Sequence, residues 1–297
     1  MRFGRLFLVL RLSHVPHNIR LLALDIDGTL LNSGFAIGER DLTALRRAHE
    51  MGVQVMLCTG RRHTFAMPIA KQLGFEMWLC TSNGAVTRSS SGETFHREFL
   101  GAEVCRQLVQ HMAEFRGGTV LTFDKDTRGS LVIERDDDMR ESVGRWLDHN
   151  AAYIEHFSPI EMSLTEDPLQ AMFCGSIERV EQAERRLAEF PLLPDLSVMK
   201  TQYDHRNLSM VDVLPKGVSK GHAMARWAAA HGIAKDQIMA IGDNFNDVDM
   251  LEAAGHPFIM GNACAELKQN GWRLTLSNDE CGVAAALEQM LWAGSKA

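Results

Sequence analysis

Leu21-Leu22-Ala23-Leu24-Asp25-Ile26-Asp27-Gly28-Thr29 runs from four apolar residues into two carboxylates, a glycine and a threonine. A short apolar run that ends in a turn signal is the pattern of a buried strand in a parallel sheet. Ligands of open α/β sheets bind beyond the carboxyl ends of the strands, which puts Asp25 and Asp27 where chemistry is done. Strand alternation carried past Leu24 would turn these two residues to one face. Carboxylates so close repel each other unless a cation lies between them or one is protonated. Magnesium suits that position, as a hard ion that takes oxygen ligands and few protein carboxylates beside a phosphate. Gly28 permits a sharp turn off the strand, and Thr29 can offer a hydroxyl and an amide to a phosphate. An ordinary strand running into a polar loop is the plainer alternative, but an acidic pair directly behind such an apolar run is poor loop filler.

Working outward, Glu39 to Met51 reads as a helix with Leu42, Leu45 and His49 on one face and Gly52 just past its end. Val53 to Cys58 makes a second strand and ends in Thr59-Gly60-Arg61-Arg62. A hydroxyl at a strand end, followed by glycine, can donate to a phosphoryl oxygen from side chain and backbone. Taken alone, Thr-Gly-Arg is a weak signal and more often a plain turn. His63 to Leu73 suits a helix that Pro68 should kink, and Met77 to Ser82 a third strand ending in Asn83-Gly84-Ala85.

After Thr87 the βαβ rhythm gives way. Arg88-Ser89-Ser90-Ser91-Gly92 is a polar turn, and Asp136-Asp137-Asp138 reads as a solvated helix start. Helices are expected over Glu103–Phe115 and Glu178–Phe190, and strands over Thr119–Phe123, Leu131–Glu134, Ala171–Ser176 and Leu208–Leu214. Residues 88–213 therefore read as an inserted α+β module, with 21–87 and 214–297 forming one α/β unit around it.

The rhythm resumes at Pro215. Ser219 is a good N-cap for a helix from Lys220 toward His231, with Gly232 to stop it. A lysine at a helix start joins a mobile ammonium to the positive end of the dipole, which suits a phosphate; Lys216 competes for that part. Gln237 to Ile241 is a further buried strand and delivers Gly242-Asp243-Asn244-Phe245-Asn246-Asp247. Asp243 follows its strand as Asp25 does, and Asp247 lies one helical turn on. Two acidic strand ends flanked by glycine converge on one edge of one sheet.

Composition bounds the function. At 297 residues the chain can fill two domains, and 45% apolar with 23% charged residues is ordinary for a soluble protein. A net charge of −7 leaves no electrostatic footprint for nucleic acid. Six cysteines scattered without a C-x-x-C pair fit reduced cytoplasmic thiols rather than a zinc or disulfide framework. Arg2 and Arg5 before Leu6–Leu10 loosely resemble a secretory signal. The apolar run is too short, however, and no small-residue cleavage site follows. Nor can it span a membrane. Residues 1–20 are expected to be a poorly ordered extension or an upstream start, and the protein cytoplasmic.

Four ordered motifs resemble those of the haloacid dehalogenase superfamily, specifically the Cof-type phosphatases with a large α/β cap between the second and third motifs. They are Asp25-Ile26-Asp27-Gly28-Thr29, Thr59-Gly60-Arg61, Pro215-Lys216-Gly217-Val218-Ser219-Lys220-Gly221, and Gly242-Asp243-Asn244-Phe245-Asn246-Asp247. Ser82-Asn83-Gly84-Ala85 resembles the lead into the cap, and Gly261-Asn262-Ala263 with Ser277–Val283 the tail. The resemblance implies a Rossmann-like parallel-sheet core. Asp25 would be the nucleophile and Asp27 the acid and base. Mg²⁺ would be held by Asp25, the Asp27 carbonyl and Asp243. Thr59, Gly60, Lys220 and Asn246 would hold the phosphoryl group, and Asp247 would orient the site. The expected partner is a small phosphorylated metabolite, a sugar phosphate or similar, with no nucleic acid, membrane or obligate protein partner. A phosphomutase would share the first motif and a similar cap topology but return the phosphoryl group to its product, and a sugar-phosphate sensor would have no use for Asp27.

Overall fold

The computed structural model describes residues 18–292. An eight-stranded sheet runs in the order β14-β13-β12-β1-β2-β3-β4-β5. Its strands are β1 (Leu21–Leu24), β2 (Gln54–Cys58), β3 (Trp78–Thr81), β4 (Val86–Ser89), β5 (Thr94–Arg97), β12 (Ile238–Gly242), β13 (His256–Ile259) and β14 (Arg273–Leu274). The first six in that order are parallel, while β4 and β5 close the edge as an antiparallel hairpin. Helices α1 (Glu39–Glu50), α2 (His63–Leu73) and α8 (Gly282–Leu291) cover one face; α6 (Lys220–Ala230) and α7 (Val248–Ala253) cover the other.

This double covering explains why β1 is apolar at every position. Leu22 and Leu24 pack with Leu45, Ile69 and Leu287 on one side. Leu21 and Ala23 pack with Met224, Trp227 and Met250 on the other. A strand buried on both faces has no solvent side to alternate with. β1 lies between β2 and β12, so the chain reverses direction across the sheet there. The crevice at such a switch point is where these sheets bind ligands. The carboxyl ends of the three strands carry Asp25, Thr59 and Asp243.

A second sheet, ordered β10-β11-β9-β6-β7-β8, is built from β6 (Thr119–Thr122), β7 (Leu131–Ile133), β8 (Ile154–His156), β9 (Gln170–Gly175), β10 (Leu196–Tyr203) and β11 (Leu208–Pro215). Its pairs are antiparallel except β7 with β8. α3 (Ala102–His111) and α5 (Ile177–Leu187) bury one face. On the other, α4 (Arg140–His149), half-buried Met172, Met210 and Tyr203, and Phe65 of α2 pack against a cluster that includes Val120, Leu131, Ile133 and Leu147.

The expected limits of the inserted module, 87/88 and 213/214, both fall inside strands. Arg88-Ser89-Ser90-Ser91-Gly92 is the tip of the β4–β5 hairpin, with Ser89 N–H donating to Glu93 O. The polar turn marks a reversal within the first sheet, which the chain leaves only after Arg97. At the other limit β11 runs on to Pro215 before α6 begins. Residues 18–20 also differ from expectation. Ile19 is buried, Arg20 N–H donates to Gln237 O, and Gln54 N–H donates to Arg20 O, so this segment extends the β1 ladder. The remainder of the expected N-terminal extension, 1–17, lies outside the described residues. α2 runs unbroken through Pro68. Among the described residues no helix is long and apolar enough to cross a membrane.

One buried contact ties the first helix to the last. Asp41 of α1 is fully buried, and its Oδ1 accepts the Ala284 N–H near the start of α8 at 2.7 Å. Asp41→Ala should lower stability by about 1–2 kcal/mol, the worth of a helix-start acceptor. Urea unfolding checks this; an unchanged midpoint would show that the bond adds nothing.

Candidate active site

β1 ends at Leu24, and Asp25 N–H still donates to Ile241 O, so Asp25 sits at the mouth of the crevice between β1 and β12. The chain then turns: Ile26 O accepts from both Leu30 N–H and Leu31 N–H. Because the strand stops before the acidic pair, its alternation does not govern them, and the two carboxylates take different partners. Asp25 is 5% exposed and faces Lys220. Asp27, with 30% of its side chain exposed, is gripped by both arms of Arg61, at 2.7 Å from Nε and 2.6 Å from Nη2. Gly28 has φ +84, and a Cβ there would lie 2.3 Å from Asp243 Oδ2, so only glycine lets the turn approach that carboxylate. Thr29, expected to face a phosphate, instead donates its hydroxyl to Asp243 Oδ1 at 2.8 Å.

Lys220 is the centre of the charge arrangement. α6 starts where the Ser219 hydroxyl accepts the His222 N–H, and the lysine's side chain is 1% exposed. Its Nζ lies 2.7 Å from Asp25 Oδ1 and 2.7 Å from Asp247 Oδ1. Burial opposes the ammonium, but Asp247 and Asp25 hold its pKa well above the usual value. Asp247 uses its other oxygen for the N–H groups of Asp243 and Asn244, both at 3.0 Å. It thereby folds the loop after β12 and aims Asp243 back at Asp25. Lys216, the alternative cation, is two-thirds exposed and pairs with Asp195 on the surface.

Oxygens of Asp25, Asp243 and Asp247 all lie within 4.8 Å of one another. Burial pushes the Asp25 carboxyl up to about 7 against the pull of Lys220. It also pushes Asp243 well above the usual range, helped by Asp25 and Asp247. Three buried carboxylates set against one ammonium are short of positive charge. An all-oxygen set with that deficit fits a hard divalent cation. Asp247 is already engaged on both oxygens, which leaves Asp25 and Asp243 as the carboxylates best able to hold one.

Thr59 closes the opposite side. It is 1% exposed, and its Oγ1 accepts the Arg61 N–H at 3.1 Å, leaving the hydroxyl hydrogen free to donate. Gly60 packs against Asn83, whose Oδ1 would lie 3.2 Å from a Cβ at that position. Asn246, 5% exposed, reaches the same asparagine, with Nδ2 donating to Asn83 Oδ1 at 3.0 Å.

Several residues at the site were not picked out as candidates from the sequence. Arg61 lay inside a quoted motif, and an arginine just past a strand-end glycine was the signal for it. Asn83 lay in another. Tyr203 gave none: it ends β10, a strand whose mixed residues show no buried pattern. Its phenol is pushed well above the usual value by burial and then by Asp27, Asp243 and Asp25. Next to it, the backbone of Gln202 pairs with the Asn244 side chain through bonds of 3.0 and 3.1 Å, clasping the second sheet to the loop after β12.

Comparison with known proteins adds an independent line. The sequence model of haloacid dehalogenase-like hydrolases matches residues 22–287. Phosphatase YwpJ of Bacillus subtilis is 29% identical over 293 residues, covering 92% of this chain and 100% of its own. The HMP-PP phosphatase of Escherichia coli O6:H1 is 30% identical over 256 residues, covering 84% and 86%. A haloacid dehalogenase-like hydrolase from Bacteroides thetaiotaomicron, solved by crystallography, superposes with a TM-score of 0.73 at 26% identity, over 91% of this chain and 99% of its own.

Proposed function

Since the chain belongs to the haloacid dehalogenase-like hydrolases, in their Cof-type group, and is a phosphomonoester hydrolase, we propose that it acts as a Mg²⁺-dependent phosphatase. Its substrates are small phosphorylated metabolites, sugar phosphates or similar esters, and turnover passes through an aspartyl-phosphate on Asp25. The observation that carries this reading is the buried Lys220 ammonium held between Asp25 and Asp247, with Asp243 alongside. A carboxylate placed against a cation in a buried crevice, beside a second carboxylate able to hold a metal, is equipped to attack phosphorus.

In the first half-reaction an Asp25 oxygen bonds to phosphorus as the bond to the alcohol oxygen breaks. A protonated Asp27 gives its proton to that leaving oxygen. In the second, water attacks phosphorus and releases the Asp25 carboxylate, while Asp27 takes the water's proton. Both oxygens of Asp27 are engaged by Arg61, so the pair has to loosen when substrate enters. Asp25, Asp243 and the Asp27 carbonyl would hold Mg²⁺, whose positive charge would offset repulsion between carboxylate and phosphate. Thr59 Oγ1, the Gly60 backbone, Lys220 Nζ and Asn246 Nδ2 donate to the phosphoryl oxygens, and Asp247 holds Lys220 and the Asp243 loop in place.

The second sheet serves as a cap, inserted between Arg97 and Lys220, whose Met172, Met210 and Tyr203 face the organic part of the substrate. Its ties to the first sheet, at Asn244 and at Asn83, let it exclude water when closed. The protein works in the cytoplasm, where its free thiols stay reduced.

A panel of phosphorylated metabolites assayed with Mg²⁺ tests the proposal. Hydrolysis should require the metal, vanish with EDTA and return when Mg²⁺ is added in excess. Full activity after chelation and desalting would overturn the metal assignment, and an isomeric phosphate ester as product would reassign the enzyme as a mutase.

A further inference from the structure

Asp212 is a carboxylate of β11 that lies against the loops of the first sheet, and it is 5% exposed. Its Oδ1 accepts from Gln170 Nε2 at 2.8 Å and its Oδ2 from Asn83 Nδ2 at 2.9 Å. Asn83 Oδ1 accepts in turn from Asn246 Nδ2 at 3.0 Å. The oxygen and nitrogen of a side-chain amide have the same shape, so partners decide which way it points. With both oxygens accepting, from Gln170 and from Asn83, the Asp212 carboxylate serves here as an acceptor alone. It therefore makes Asn83 present its nitrogen to β11 and its oxygen to Asn246, and Asn246 must answer with nitrogen. One N–H of Asn246 is spent on this bond, and the other remains for a ligand.

The middle link is held firmly. Ser82, Asn83 and Gly84 have φ of +48, +50 and +102, three left-handed residues in a row. Ser82 N–H donates to Arg61 O and Asn83 N–H to Thr59 O. A Cβ at Gly84 would lie 2.2 Å from Ser219 O. Asn83 thus touches or adjoins Thr59, Gly60, Asn246 and the start of α6, the groups assigned to the phosphoryl group. Burial raises the Asp212 carboxyl to about 7, while the Asn83 bond and Lys220 pull it down.

We propose that Asp212 is a positioning residue for phosphoryl transfer: acting through Asn83, it sets the Asn246 amide so that an N–H faces the phosphoryl oxygens. This rests on the reading that Asn246 contacts the phosphoryl group. Asp212→Asn offers one acceptor where two N–H donors converge, so one amide must reverse or lose its partner. With acetyl phosphate as substrate, kcat/KM should fall about ten-fold and the Ki for inorganic phosphate rise by about the same factor. Mg²⁺ affinity should not change. In an Asn246→Ala background the same substitution should add less than about two-fold, because the relay has no end to act on.

A full ten-fold loss persisting in that background would overturn the proposal, as would a silent Asp212→Asn in the native one. If Asn246→Ala itself leaves both constants unchanged, the phosphoryl contact falls and the relay with it. If Asn246→Ala is harmful and Asp212→Asn is not, the relay alone falls. Should Asp212→Asn fail to fold, Asn83→Gly removes the linking amide at a left-handed position that glycine accepts, and the same cycle applies.

Discussion

Asp25→Asn should abolish turnover, by at least about 10⁴-fold, while the protein stays folded and compact. Asparagine has the same shape, and its amide oxygen can still accept from Lys220 Nζ, which lies 2.7 Å from Asp25 Oδ1 in the native protein. What it lacks is a charged oxygen able to form and later release a bond to phosphorus. The change also removes one of the two carboxylates best able to hold a cation, so Mg²⁺ affinity should weaken as well. Rapid quenching of the native enzyme with labelled substrate should recover the phosphoryl group on Asp25, as an acyl phosphate that hydroxylamine cleaves. A label recovered on any other residue, or an active Asp25→Asn enzyme, would reassign the nucleophile.

The second large effect separates two lysines four residues apart. Lys220→Ala should cost about 10²–10³-fold in kcat/KM, the scale of removing a cation from developing phosphoryl charge. Stability should fall too, by about 3–5 kcal/mol, because Asp25 and Asp247 would be left buried without the ammonium they share. Lys216→Ala should leave activity unchanged. That side chain is two-thirds exposed and its pairing with Asp195 is a surface contact, worth about 1 kcal/mol or less. Kinetics and urea unfolding of the two single variants decide the matter. The reverse order would place the third motif four residues too late. An Lys220→Ala enzyme with normal kcat/KM would remove the ammonium from the mechanism.

The core was legible because its signals are local. A strand covered by helices on both faces must be apolar throughout, so β1, β2 and β12 stand out as short apolar runs, and the residue after each run is at the crevice by necessity. That is why Asp25, Thr59 and Asp243 could be named from the chain alone, and why Ser219 could be read as the cap that starts α6. The start of the inserted module, read at 88, falls inside the β4–β5 hairpin for a related reason. A polar turn looks the same whether the chain leaves a sheet or reverses within it, and only the pairing of Thr94–Arg97 with β4 tells the two apart.

By itself, then, the sequence determined buried strands such as β1, β2 and β12, which residues stand at their ends, and the order of the four motifs. Only the tertiary structure decided how those residues pair. Asp25 and Asp27 are two apart in the chain yet answer to different cations, because the strand stops at Leu24 and each carboxylate turns to whichever charge the fold brings near: Lys220 from α6 for one, Arg61 from beyond β2 for the other. Tyr203, Gln202 and Asp212 reach the site from an inserted sheet whose strands carry no catalytic pattern. Their part depends on contacts such as Asp212 to Asn83, 129 residues apart. Apolar periodicity is a property of neighbours along the chain and can be read there. Charge pairing and hydrogen bonding across the crevice depend on distances of about 3 Å between segments that only folding brings together.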